Sequence, residues 1–280
     1  MGNSVLSAED TTLAPSAEEG DERSLGGRLS RATDVLVALT IADLRARYGR
    51  GAWRLVKWLL DPFALVGVYL LLVSIVLDRG GSATGLSLAC AVVPFQLVMG
   101  SIINALTAAN QRRSILLNMS FDRSLIPISS VLTETIAFAA SLLLLALMMA
   151  VYAIAPTLAI LWLPVVIAVT ILFSIGAAYP ISLVGLWFPD LRVFFISFVR
   201  AMFFLAPGLV ALSAIEGTAN TLVRLNPLTG LFEAYRDVLL YGQAPSPWEL
   251  LVPLAYSVVL LACFVPLYRS EAHHFAKVVE

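Results

Sequence analysis

Six long apolar runs restrict the fold of this chain more than any other feature of its sequence. The runs are at about residues 58–77, 86–108, 125–155, 158–187, 193–212 and 248–268. A helix needs roughly 20 apolar residues to cross the ~30 Å hydrocarbon core of a bilayer, and each run provides about that number or more. The composition agrees, with 59% hydrophobic and 13% charged residues. We therefore predict an all-α polytopic membrane protein whose six transmembrane helices form one domain over residues 58–268.

The basic residues predict how these helices are oriented. If all six runs cross the membrane, fourteen Lys and Arg residues lie on the side of the two termini and three on the opposite side. Short loops rich in Lys and Arg stay in the cytoplasm. Both termini are therefore predicted to be cytoplasmic in a multi-pass protein of the cytoplasmic (inner) membrane. Residues 1–33 are predicted to be a disordered acidic tail, and residues 269–280 a C-terminal tail.

Residues 34–57 are predicted to form an amphipathic helix that leads into the first apolar run. One side of this helix is apolar and the other is polar; the two sets are Val37, Ile41, Leu44 and Tyr48, and Thr40, Asp43, Arg47 and Arg50. Basic side chains on such a helix can reach lipid phosphates. We interpret the segment as an interface helix in the inner headgroup region, with an ordinary soluble helix as the alternative.

A short capped helix is predicted over residues 225–243, between the last two apolar runs. Asn226 suits the N-cap, Pro227 the first helical position and Gly242 the C-terminal end. One side is apolar, formed by Leu228, Leu231, Phe232, Tyr235 and Leu239, and the other carries Thr229, Glu233, Arg236 and Asp237. At ~1.5 Å per residue the helix is only about 21 Å long, too short to cross a bilayer. We expect a re-entrant or interfacial helix that guards a pathway.

The chain lacks the sequence signatures of the common enzyme classes. Its two lysines follow Val56 and Ala276, so a Gly-Lys-Ser/Thr nucleotide-binding loop is absent. Cys90 and Cys263 lie in apolar runs, and His273 and His274 lie in a polar tail. We predict no catalytic, metal-binding or cofactor-binding residues.

Two charged residues are predicted to lie within the membrane. Glu134 and Arg200 are each about eight residues into their apolar run, hence ~12 Å deep. An isolated charge at that depth costs a few kcal/mol, so each should find a partner. One hypothesis is that they pair with each other; the alternative is that each is satisfied separately.

The fifth apolar run is rich in phenylalanine and is predicted to break before it ends. The aromatic residues are Phe194, Phe195, Phe198, Phe203 and Phe204. Pro207-Gly208 should end the helix. Aromatic rings can stack on sugars, but such a set more often faces lipid or packs in a core.

Four groups of residues carry a resemblance to a known family. They are Arg47-Tyr48 with Trp53 and Leu60-Asp61-Pro62, then Phe121-Asp122-Arg123-Ser124-Leu125-Ile126-Pro127, then Trp187-Phe188-Pro189-Asp190-Leu191-Arg192, and finally Asn226-Pro227 with Glu233, Arg236-Asp237 and Gly242. In these groups the chain resembles the membrane subunits of ATP-binding-cassette (ABC) exporters for O-antigen, teichoic acid and related polysaccharides.

The resemblance implies a half-channel that forms a homodimer and binds two copies of a separate ATPase subunit, which holds the ATP and magnesium. Residues 110–127, the coupling loop, would contact that ATPase through Arg112, Arg113, Phe121, Arg123 and Pro127. The outer gate would include Pro207, Asn226, Pro227, Phe232, Glu233 and Arg236. A lipid-linked polysaccharide would pass the channel aromatics Phe63, Phe194, Phe198 and Phe204. From the residues alone, the coupling loop could also be an ordinary solvated loop.

Three other functions stay open. The first is an exporter of drugs or lipids with the same fold. The second is a membrane-embedded transferase acting on polyprenyl-linked glycans, which would need convergent outer carboxylates such as Glu216, Glu233 and Asp237. The third is a secondary transporter driven by an ion gradient.

Overall fold

The computed structural model describes residues 25–48, 53–72, 83–111, 122–209, 212, 215 and 217–271. These residues form helices and connecting turns, with no strand among them. This described part of the chain contains nine α-helices: α1 (Leu25–Tyr48), α2 (Trp53–Leu71), α3 (Thr84–Gln111), α4 (Leu125–Val151), α5 (Leu163–Trp187), α6 (Arg192–Leu205), α7 (Thr218–Arg224), α8 (Pro227–Arg236) and α9 (Pro247–Glu271). Short 3-10 turns at Leu158–Trp162 and Pro189–Leu191 lead into α5 and α6, and a π-helical turn at Asp237–Tyr241 extends α8.

Four segments in the described part of the chain are long and apolar enough to cross a membrane. They are Thr84–Ala108, Leu125–Val151, Leu158–Trp187 and Pro247–Glu271. The first of these is the central helix, because 78% of its most apolar segment is buried, against 11% for Pro247–Glu271. The bundle therefore packs around α3, whose residues Leu86–Val98 include many that are almost completely buried.

The other two predicted spans differ from the expectation. Helix α2 carries Arg54, Lys57 and Asp61, and the end of the predicted first span lies outside the described residues. Helix α6 has 14 residues, about 21 Å at ~1.5 Å per residue, which is less than a ~30 Å bilayer core. Its end at Leu205, just before Pro207-Gly208, confirms the predicted helix break. By itself α6 cannot span a bilayer.

The N-terminal helix begins earlier than expected. Helix α1 covers Leu25–Tyr48, so residues 25–33 are helical and not part of a disordered tail, and residues 49–52 lie outside the described part of the chain. Val37 and Ile41 are 51% and 42% exposed, whereas Leu39 and Thr40 are buried. The helix therefore packs on α4 partly through its predicted polar side, and two residues of its apolar side point away from the bundle.

A tight turn around Pro156 joins the long helices α4 and α5 into a hairpin. Residues 152–157 join α4 to the turn before α5. The hairpin contacts the segment after α8, because the Thr157 hydroxyl donates a hydrogen bond to the Gly242 carbonyl at 3.0 Å. This end of the bundle thus holds the hairpin and the short helix α8 together.

Candidate functional site: a buried outer gate

Helix α8 has the end residues that the sequence predicts. The Asn226 side chain accepts a hydrogen bond from the backbone N–H of Leu228 at 3.0 Å, and Pro227 is the first helical residue. At the other end, Gly242 adopts a left-handed conformation with φ of 65°, which glycine tolerates without a steric penalty. Both caps are local interactions, so their sequence signals are reliable. We call Pro227–Tyr241 the gate helix.

Residues 228–239 of the gate helix are buried on all sides. Its apolar residues are covered as predicted, with Leu231, Phe232 and Tyr235 each 0% exposed. Its polar side is covered as well: Arg236 is 0% and Glu233 is 7% exposed. The polar side therefore faces protein and not a water interface, and its polar groups need partners within the fold.

Arg236 connects the gate helix to two other parts of the chain. Its Nη1 donates to Glu233 Oε1 at 2.6 Å, and its Nη2 contacts the carbonyls of Pro207 and Gly208 at 3.4 and 3.2 Å. Its Nε donates to the Ser87 carbonyl, in the first turn of α3, at 3.3 Å. We call these contacts the Arg236 clamp. The fork of guanidinium donors suits such multiple contacts, and the clamp joins the gate helix, the break after α6 and the start of α3.

Glu233 and Phe232 reinforce the same junction. Glu233 Oε1 also accepts a hydrogen bond from the backbone N–H of Leu212 at 2.9 Å. The Phe232 ring packs on Phe203 of α6, with centroids 5.8 Å apart, and on Phe95 of α3 at 6.4 Å. Polar and aromatic contacts thus fix the gate helix to the same two helices.

A cavity of about 700 Å³ lies beside the gate helix, and we call it the outer cavity. Its walls are Leu212, Asn220, Arg224, Glu233, Asp237, Tyr241, Gln243, Ser246, Trp248 and Glu249. Asp237 accepts a hydrogen bond from Gln243 at 2.9 Å. Burial, and then the nearby charge of Glu233, raise the pKa of Asp237 above its ordinary value, although the Gln243 hydrogen bond opposes this shift. The cavity therefore gathers carboxyl groups, as the transferase alternative would require, while Glu216 lies outside the described residues.

The predicted channel aromatics occupy two environments. Phe194 and Phe198 on α6 are 62% and 49% exposed, Phe204 is 54% exposed, and Phe63 on α2 is half-buried. Phe203, by contrast, is buried in an aromatic cluster and stacks on Tyr69 at 5.2 Å. The α6 aromatics are thus divided between a core position and an outward surface.

The two intramembrane charges have separate surroundings. Glu134 is 5% exposed, and its Oε1 accepts a hydrogen bond from Asn104 of α3 at 2.5 Å. Arg200 is exposed on α6, and its positive charge interacts electrostatically with the Tyr69 hydroxyl. The hydrogen bond of Glu134 therefore leads to Asn104 and not to Arg200, which favours separate satisfaction over the predicted pairing.

The described residues of the coupling loop are 110–111, within α3, and 122–127. Pro127 is buried in the first turn of α4, and Arg123 is half-buried. Arg112, Arg113 and Phe121 lie outside the described residues.

A second cavity, of about 690 Å³, lies between α1 and the bundle at the coupling-loop end of α3 and α4. We call it the inner cavity. Its wall mixes apolar residues with polar ones, which include Asp43, Asn104, Gln111, Thr133 and Arg192.

Sequence reasoning missed Ser87, Leu212, Asn104 and Glu249 as parts of these sites. Ser87 and Leu212 contribute backbone atoms, which carry no side-chain signal. Glu249 did have a signal: with Ser246 it has the Ser-x-x-Glu spacing of a capping box, and its Oε2 accepts from the Ser246 N–H at 3.1 Å.

Comparison with known proteins gives a consistent result. The O-antigen export system permease protein RfbA of Myxococcus xanthus is 27% identical over 246 residues, which cover 87% of this chain and 94% of the relative. Two proteins of the same description from Klebsiella pneumoniae are 26% identical over 210 residues, 75% of this chain and 81% of the relative, and 23% identical over 248 residues, 88% and 95%. No family model matches the chain. The similarity confirms the resemblance to the permease subunits of ABC polysaccharide exporters.

Proposed function

We propose that this chain, a relative of the O-antigen export permeases over most of its length, is the membrane subunit of an ABC exporter that moves a lipid-linked polysaccharide across the cytoplasmic membrane. The observation that carries the proposal is the similarity to three O-antigen export permeases. The buried gate helix gives it a physical basis. In this proposal the chain is not an enzyme, and ATP and magnesium are bound by a separate ATPase subunit.

The proposed closing element is the gate helix with its Arg236 clamp. The clamp contacts the carbonyls of Pro207 and Gly208, where α6 ends. The gate helix is too short to cross the membrane by itself, but beside the break after α6 it can close the outer end of a path between longer helices. Two copies of the chain would form the path. In each copy, α2 and the residues after it would be the first of six spans, and α6 with the break after it would be the fifth.

Helix α3 offers a direct mechanical connection between the ATPase and the gate. Its first turn receives the Arg236 hydrogen bond at Ser87, and its last residue, Gln111, lies within the coupling loop. The 28 residues of α3 extend about 42 Å at ~1.5 Å per residue, longer than the hydrocarbon core. A force on the coupling loop would therefore reach the gate through one continuous helix.

The two cavities and the exposed aromatics indicate the substrate path. The inner cavity beneath α1 has polar side chains such as Asn104, Gln111 and Arg192 in its wall, so a sugar or phosphate group could enter it from the inner headgroup region. Exposed rings such as Phe194 and Phe198 could then stack on sugar units in the assembled channel. The names of the relatives make an O-antigen polysaccharide the first candidate, and teichoic acid and cell-wall galactan are the other two.

Simple observations would distinguish the three rival functions from this one. An exporter of drugs or lipids would have an adjacent ATPase gene without adjacent glycosyltransferase genes. A glycan transferase would use the carboxyl groups around the outer cavity and would act without the ATPase. A secondary transporter would depend on an ion gradient.

The test is reconstitution of the exporter. The chain is co-purified with the ATPase encoded beside it, placed in vesicles and supplied with a lipid-linked polysaccharide. We expect ATP-dependent translocation, which Arg236→Ala abolishes while ATPase binding is unchanged, because breaking a buried ion pair costs about 3–5 kcal/mol. Arg45→Ala, which removes an exposed arginine of α1 that lines neither cavity, is the matched control and should translocate normally. Translocation without the ATPase would contradict the proposal.

A further inference from the structure

The end of the coupling loop is fixed to α5 by a tyrosine. The Tyr179 hydroxyl donates a hydrogen bond to the Ser124 carbonyl at 3.0 Å, and both residues are 3% exposed. Ser124 immediately precedes α4, and its backbone N–H donates to Asp122 Oδ1 at 2.9 Å. The last turn of the coupling loop is therefore held from both sides, and a displacement of Ser124 must act on the Tyr179 hydroxyl.

Tyr179 also contacts α9. Its ring packs edge to face on the Tyr268 ring, with centroids 5.5 Å apart and planes at 84°. Tyr268 is 0% exposed, and its hydroxyl lies 3.4 Å from Ser182 Oγ on α5. Edge-to-face aromatic pairs have a preferred geometry, so the tyrosine pair constrains the inner end of α9 relative to the coupling loop.

The outer end of α9 contacts the gate helix through backbone atoms. A Cβ atom placed on Gly230 would lie 2.7 Å from the Glu249 carbonyl oxygen and 3.1 Å from its Cα. At this distance the two helices cannot approach further, so a displacement of the first turn of α9 must also move α8. The side chains of Glu249 and Asp237 both line the cavity at this junction.

Helix α9 thus joins the tyrosine pair to the gate. From Glu249 to Tyr268 the helix rises about 28 Å at ~1.5 Å per residue, close to the ~30 Å thickness of the hydrocarbon core. We propose that Tyr179 is a positioning residue that transmits movement of the coupling loop through Tyr268 and α9 to the gate helix. This inference rests on the proposed function, since it assigns a role during ATP-driven export. It adds a second connection beside α3, which serves the other end of the coupling loop.

Tyr179→Phe tests the proposal with the smallest change. It removes the hydroxyl that binds Ser124 and keeps the ring that packs on Tyr268. The readout is the distance between spin labels at two exposed positions, Leu225 before the gate helix and Leu143 on α4, in the complex with the ATPase. Cys90→Ala and Cys263→Ala supply the cysteine-free background.

We expect ATP to shift this distance in the unmodified complex. In Tyr179→Phe the fraction of molecules that shift should fall about fivefold, within the range of couplings carried by packed networks. ATPase binding and the rate of ATP hydrolysis should stay within about twofold, which a general loss of structure would not allow. Tyr268→Leu keeps the Ser124 hydrogen bond but removes the aromatic pair, and it should reduce the shift similarly.

Tyr256→Phe is the matched control. It removes a hydroxyl from an exposed side chain on α9 itself, and its loss should leave the ATP-induced shift unchanged. A normal shift in both Tyr179→Phe and Tyr268→Leu, or an equal loss in Tyr256→Phe, would overturn the inference and leave the proposed function intact. An unmodified chain that fails to bind the ATPase, or shows no shift with ATP, would overturn both.

Discussion

Arg236 is a fully buried cation in a chain that is 59% hydrophobic. A buried charge is tolerated only when it is paired and its hydrogen-bonding groups are satisfied. The guanidinium meets this condition with Glu233 and three backbone carbonyls. Lysine could not replace it, because an ammonium group lacks the fork geometry that reaches several separate acceptors. The clamp therefore specifies where the gate helix sits, whatever its net contribution to stability.

Removing the arginine alone should be worse than removing both charges. Arg236→Met leaves Glu233 buried without its cation and should cost about 3–5 kcal/mol of stability. Adding Glu233→Gln should recover part of this loss, because glutamine is neutral and its side-chain oxygen can still accept from Leu212. Thermal unfolding of the purified variants checks the order. If the double variant unfolds at a lower temperature than the single variant, the ion pair is not the main electrostatic feature of the gate.

What the sequence predicts at this scale depends on the range of each interaction. The caps at Asn226 and Gly242 are signalled within the segment itself. The three backbone carbonyls that accept hydrogen bonds from Arg236 lie 28, 29 and 149 residues away in the chain. Backbone carbonyls have no signature in the sequence. The same distance in sequence explains why Asn104, on a neighbouring helix, was not foreseen as a hydrogen-bond partner of Glu134.

At the scale of helices, the close crossing of α8 and α9 depends on Gly230. Hydrophobic attraction between helices is weak in lipid, so packing relies on small residues that let backbones approach. Gly230 faces the backbone of Glu249, and a side chain there would collide with it. The crossing also covers the polar side of the gate helix, which amphipathic patterning alone predicted to lie at an interface.

Gly230→Ala should therefore destabilise the chain by about 1–3 kcal/mol, the usual cost of overpacking. Gly67→Ala in α2 is the matched control, because a Cβ there meets nothing within 4 Å, and alanine favours a helix by up to about 1 kcal/mol. Both can be compared by thermal unfolding in the same detergent. A Gly230→Ala variant as stable as Gly67→Ala would show that α8 and α9 separate readily and would weaken α9 as a connection to the gate.

For the whole molecule, the arrangement has two functional ends joined by long helices. One end holds the gate helix, the outer cavity and the hairpin at Pro156. The other holds the coupling loop, α1 and the inner cavity. Composition predicted the membrane environment and four of the long helices, because these depend on sums over many residues. Composition alone could not predict that α6 is short, because the residues after Leu205 are as apolar as those before it. Only the local break at Pro207-Gly208 determines where the helix ends.

The orientation of these two ends relative to the membrane can be tested directly. Fourteen basic residues on one side and three on the other predict that the coupling-loop end is cytoplasmic. Single cysteines at two exposed positions, Ala155 in the outer hairpin and Ser270 at the end of α9, are introduced into the cysteine-free background. In intact cells, a membrane-impermeant maleimide should label Ala155→Cys, and it should label Ser270→Cys only after the cells are opened. The reverse pattern would place the gate helix on the cytoplasmic side, where it could not close the outer mouth, and an ATPase could then not reach the coupling loop.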